Sequence, residues 1–156
     1  MKNLIIVLLT LATSLASAQI TANWKGGSPG QETNWNYAKN WSNNQVPDEF
    51  THVVIAIDNN GHFAQPVIND YAAVASVKLH SGSSLTISGK GTLEIDGEFT
   101  YSNGIVMYGG FLFNNGKIML SNVEFLQGAF RLDNIQGTGR LFIDGEQMNG
   151  DILAQN

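Results

Sequence analysis

The sequence predicts an all-β fold: a short parallel β-solenoid behind an irregular, Trp-rich N-terminal cap. Three observations predict it. From Thr51 onward the chain is a series of short strand-like runs separated by Gly, Asn, Asp or Ser, and no interval holds an uninterrupted amphipathic helix of ordinary length. Apolar positions recur at short spacing, with Leu85 to Ile105 20 residues, Leu93 to Phe111 18 and Phe111 to Phe130 19, close to one circuit of a solenoid repeat. The three tryptophans, Trp24, Trp35 and Trp41, all stand before the first of these runs.

Taken in order, residues 1–18 have the parts of a secretory signal: Lys2, an apolar run from Leu4 to Leu11, and small residues ending Ala16-Ser17-Ala18. Cleavage before Gln19 is expected. The apolar run is shorter than the about 20 residues that a spanning helix needs, so no membrane insertion is expected after cleavage. No Cys follows that could carry a lipid anchor.

Residues 19–50 are polar and rich in Asn and Trp, with Pro29, Pro47 and the glycines Gly26, Gly27 and Gly30. They lack strand or helix periodicity and read as a cap. A solenoid leaves unpaired strand edges at its ends, and large indoles are suited to cover one. Residues 51–156 are the solenoid proper, joined to the cap in one domain.

The strand-like runs are Val53–Ile57, Val74–His80, Ser84–Ser88, Thr92–Thr100, Ile105–Tyr108, Phe111–Phe113, Lys117–Leu120, Val123–Leu126, Phe130–Leu132 and Arg140–Asp144. Alternation is clearest in Thr92-Leu93-Glu94-Ile95-Asp96, which places Leu93 and Ile95 on one face and the polar residues on the other. Asn59, Asn60, Asn69, Asn103, Asn114, Asn115, Asn122 and Asn134 lie between or at the ends of runs. Asn tolerates left-handed backbone and can bond its own kind one rung above, and it also simply favours turns. The polar tail from Gly145 either folds over the last rung or frays.

Composition narrows function further. The formal charge of −5, or −6 once Lys2 leaves with the signal, argues against phosphate backbones, so no nucleic-acid partner is expected. With no cysteine in an exported chain, stability must come from packing and backbone hydrogen bonds.

The segment Asn23-Trp24-Lys25-Gly26, Thr33-Asn34-Trp35, Ala38-Lys39-Asn40-Trp41, Val46-Pro47-Asp48 and Val53-Val54-Ile55 resembles the entry segment of bacterial secreted and adhesin-type parallel β-helix proteins. Pro66-Val67-Ile68, Ser76-Val77-Lys78-Leu79, Ser83-Ser84-Leu85-Thr86-Ile87 and Gly91 to Gly97 are similar to the opening rungs of the same proteins. The resemblance implies a right-handed parallel β-helix, exported to the periplasm, the cell surface or the medium. Members of that family commonly form part of larger surface proteins, with further rungs or an anchoring domain that this chain does not display.

Chemistry-bearing residues are few. Glu94, Asp96 and Glu98 on one run, with Lys117 and Arg131 on later ones, are the catalytic candidates, because neighbouring rungs about 4.8 Å apart bring such groups together. Polysaccharide lyases and hydrolases use carboxylates and cations in this way. A solvated strand face accounts for the same pattern. Asp58-Asn59-Asn60-Gly61 resembles the start of a calcium loop, with Asp58 and Asn60 as oxygen ligands. The position that would close the loop is Asn69, so a plain turn is the expectation and no metal or cofactor is assigned.

His52, His62 and His80 have no zinc-site spacing, and no G-x-S-x-G motif occurs. The tryptophans could stack on sugars, but the cap gives them a structural reason. Asn40-Trp41-Ser42 is a glycosylation sequon that matters only in a eukaryotic host.

The expectation is therefore an exported, non-catalytic scaffold binding a surface polysaccharide or another envelope component. The alternatives are a carbohydrate-active enzyme using the charged face, and a structural protein that assembles end to end.

Overall fold

The computed structural model describes residues 20–57, 64–97, 103–125, 130 and 134–148. The expected signal segment and residues Asp58, Asn60, His62, Glu98 and Arg131 lie outside the described residues.

The described chain is all-β, with thirteen strands in three sheets and a 3-10 turn at Ala38–Asn40. The first sheet has the order β1 (Ile20–Asn23), β2 (Thr51–Ile55), β5 (Ser76–His80) and β8 (Ile105–Tyr108). The second is β3 (Val67–Ile68), β6 (Ser84–Ile87), β9 (Phe111–Asn114) and β11 (Ile135–Gln136). The third is β4 (Tyr71–Val74), β7 (Thr92–Asp96), β10 (Lys117–Ser121), β12 (Arg140–Ile143) and β13 (Glu146–Met148).

Every strand pairing is parallel except β12 with β13. From β3 to β10 the chain visits the second, third and first sheets in rotation; the next described strand, β11, is again in the second sheet and β12 in the third. Partners in the third sheet run Tyr71, Thr92, Lys117 and Arg140, steps of 21, 25 and 23 residues.

Those steps correct the spacing taken from apolar residues alone. Leu85 pairs with Leu112, and Leu93 with Ile118; the spacings from Leu85 to Ile105 and from Leu93 to Phe111 joined residues of different sheets, and Phe130 lies in no described strand. The true steps vary because the connecting loops differ in length, which hides the repeat from a search for a fixed period.

Period-two alternation turns one side of each strand inward. Val53, Val77 and Ile105 stack in the first sheet, Leu85 and Leu112 in the second, and Leu93, Ile118 and Leu141 in the third. All belong to one buried cluster that also takes in the three tryptophans. Each such side chain contributes about 1.5–3 kcal/mol by leaving water.

Glycine shapes the corner between the second and third sheets. Gly91, Gly116 and Gly139 each precede a third-sheet strand, and the amides of Lys117 and Arg140 donate to Gly91 O and Gly116 O at 3.0 and 2.9 Å. A methyl group on Gly116 would overlap the carbonyl oxygens of Gly91 and Ser88.

The N-terminal segment is more ordered than its composition suggests. β1 pairs in parallel with Thr51–Val54 and extends the first sheet, which the isolated ITAN tetrapeptide, with only Ala22 buried, is too short to signal. Trp24, Trp35 and Trp41 are buried, with ring centroids 4.9 and 4.7 Å apart in edge-to-face contact. Trp24 Nε1 donates to Ala64 O at 2.7 Å and Trp41 Nε1 to Trp35 O at 2.8 Å. The sequon residue Asn40 is wholly buried, its Nδ2 donating to the carbonyls of Gln31 and Asn34 at 2.6 and 3.0 Å. Its amide nitrogen is therefore enclosed in the folded cap.

Other expectations are also revised. The run Val74–His80 breaks at buried Ala75, where the chain leaves the third sheet for the first and the Ala75 amide donates to Thr51 O at 2.9 Å. Residues 123–125 form no strand, and the Val123 side chain instead lies against Gly104. Asn122, at φ 52°, does not bond to an asparagine one pass away; its Nδ2 donates to Asp96 Oδ1 at 2.9 Å. The tail turns at Asp144-Gly145, both at positive φ, and β13 pairs back on β12.

Candidate functional site

Parallel pairing in register places outward residues of the third sheet in columns. Tyr71, Thr92, Lys117 and Arg140 form one column, and Ala73, Glu94, Met119 and Phe142 the next. Of the charged candidates, Glu94, Asp96 and Lys117 thus share one outward face. The structure does not gather them into one site.

Glu94 and Asp96 line an open groove of about 340 Å³ with Glu49, Phe50, Tyr71 and Ala73. Lys117 lies outside it, with its ammonium 4.9 Å from the centre of the Phe142 ring in a cation–π contact, and the Arg140 guanidinium lies 5.9 Å from the same ring.

Both carboxylates are engaged by neighbours. The Tyr71 hydroxyl donates to Glu94 Oε2 at 2.8 Å, and Asp96 Oδ1 accepts from Asn122. The hydrogen bond to Glu94, with burial and the charges of Glu94 and Glu49, pushes the Tyr71 phenol up to about 12. Tyr71 is held protonated near neutral pH and cannot serve there as a base.

His52 lies on the outward side of the first sheet, where its Nδ1 meets Ser76 Oγ at 2.8 Å and its Nε2 is buried without a partner. Burial, and then the Lys78 charge, lower its pKa, which favours the neutral imidazole. Among the described residues no three His, Cys, Asp or Glu side chains are grouped to hold a metal ion. No helix among them is long and apolar enough to cross a membrane.

A second surface feature went unread in the sequence. At the corner between the first and second sheets, Tyr108 ends β8 and Phe111 begins β9, 53% and 42% exposed. Tyr108 rests on His80 of the preceding pass, ring centroids 5.6 Å apart, and Phe111 sits in register with Ser84. Gly109, at φ 81°, and Gly110 make the tight corner; a side chain on Gly110 would strike Leu79 and the His80 carbonyl. The Tyr-Gly-Gly-Phe tetrapeptide is a signal that two outward rings flank a turn, legible once the corner is known. The buried tryptophans, by contrast, present no ring face for stacking.

No protein-family model, curated protein or solved structure matches the chain.

Proposed function

We propose that the chain is an exported, right-handed parallel β-solenoid, akin to the secreted and adhesin-type β-helix proteins, that binds a glycan of the cell envelope without transforming it. Rotation of β3 to β10 through three sheets by parallel pairing supports the solenoid, and the Lys2 to Ala18 pattern supports export.

The aromatic corner carries the binding reading. Tyr108 and Phe111 offer flat, exposed rings, with His80, Ser81 and Ser84 one pass below to meet hydroxyl groups. Rings paired with small polar groups suit the apolar face and polar rim of a pyranose. The non-catalytic reading rests on the charged face, where Lys117 turns to Phe142 and lies outside the groove that Glu94 and Asp96 line, so the candidate cation and the two carboxylates are not gathered there.

Calorimetry of the mature protein with neutral oligosaccharides tests the proposal. Binding that Tyr108→Ala with Phe111→Ala weakens by about tenfold or more, at the scale of ring-stacking energies, is expected. Absence of binding to every oligosaccharide, or binding that both substitutions leave intact, would remove it.

A further inference from the structure

We propose that the free edge of β4 is a docking strand for an extended, positively charged peptide segment of a partner protein. Among the described residues β4 ends the third sheet, with one edge paired to β7 and the other unpaired. The Thr92 amide donates to Asp70 O at 2.9 Å. In a parallel ladder this directs the backbone of residues 70, 72 and 74 toward β7, and the N–H and C=O groups of Tyr71 and Ala73 away from it.

The place beside that edge belongs by register to residues 47–50, since Ala75 bonds to Thr51 and Ser76 pairs with His52. These residues do not form a strand. Asp48 Oδ1 accepts from the Phe50 amide at 3.2 Å and the Thr51 hydroxyl at 2.7 Å, and the segment turns instead of pairing. The groove lies between that turn and the edge.

Charge selects the occupant. Among the described residues Glu49, Glu94 and Asp96 line the groove, and neither Lys nor Arg does. Phe50 and Tyr71, 50% and 59% exposed, offer rings to the stems and charges of Lys or Arg. A second copy is a poor match. The opposite end of its third sheet carries Asp144 and Glu146 beside β13, and the whole chain bears −5. An added basic strand gains main-chain hydrogen bonds from the edge and specificity from the carboxylates.

The test uses the mature protein and a blocked peptide, TKVKVKT, with two controls: TEVEVET, and TKVKVKT N-methylated along one edge. Calorimetry at low and high salt is paired with amide exchange followed by NMR. The expected result is binding of the basic peptide that weakens with salt, with new protection of the Tyr71 and Ala73 amides. Ala73→Pro should weaken it by about tenfold or more, because proline is tolerated where an edge N–H points off the ladder and removes only the donor. Glu49→Lys, an exposed charge reversal, should weaken it as well.

Failure of the basic peptide to bind overturns the proposal. So does equal binding of the acidic or N-methylated peptide, or binding that leaves both amides unprotected. Concentration-dependent self-association that protects the same amides would assign the edge to a second copy, and protection by a neutral oligosaccharide would assign it to a glycan. Either result overturns it.

Discussion

Asn40 shows how much of the cap depends on one amide. Its Nδ2 serves two carbonyls, its Oδ1 accepts from the Ser28 amide at 3.2 Å, and its own carbonyl accepts from Lys25 and Gly26. Asn40→Leu keeps the volume but strands three part-buried backbone groups, so a loss of about 2–3 kcal/mol is expected in urea unfolding. Gly116→Ala tests the glycine corner in the same assay. Its methyl group overlaps two carbonyl oxygens that belong to backbone, and about 1–3 kcal/mol should be lost. Tyr71 supplies a pH prediction. Its phenol is raised to about 12 by the Glu94 bond, above the ordinary value near 10. The stability this contributes is fully present below about pH 10 and is lost as pH rises through the folded value. Phenolate absorbance should therefore include a late-titrating component from Tyr71, which moves toward lower pH in Glu94→Gln. Residue roles of this kind were only partly legible in sequence. The structural role of the tryptophans could be read because three indoles crowd one polar segment, and all three are buried. The Tyr71–Glu94 bond could not, because it joins residues 23 apart whose adjacency depends on register.

Elements were legible where alternation was strong and obscure where a corner or a short pairing intervened. Ile105–Tyr108 coincides with its predicted run, and Leu93 and Ile95 point inward as their pattern requires. β3 and β11 have two residues each and no period to read; tertiary pairing alone makes them strands. β13 was legible and was missed. Asp-Gly between short runs is a strong hairpin signal, since both central residues of the tight turn need positive φ, and Asp144 and Gly145 sit at 48° and 83°. The hairpin gives β12 an antiparallel partner, so a chain ending at Ile143 should expose that edge. Light scattering over a concentration series should then show self-association absent when the chain continues through β13.

At the scale of the whole molecule, one buried cluster runs from Ala22 to Leu141 and includes the cap tryptophans with the inward residues of all three sheets. Edge-to-face indole contacts, the Trp24 bond to Ala64 and the Trp35 amide bond to Val67 O at 3.3 Å tie the cap to the sheets. That continuity makes an unusually clean experiment available, because all three tryptophans lie between residues 24 and 41. Indole fluorescence therefore reports the cap, and far-ultraviolet circular dichroism reports the sheets. If the cap and the stacked strands share one core, both signals should follow a single transition in urea with the same midpoint and slope. Arrays held only by neighbour contacts can lose terminal units first. A fluorescence midpoint below the dichroism midpoint would make the cap a separable lid, and the structure's unbroken core argues for coincidence.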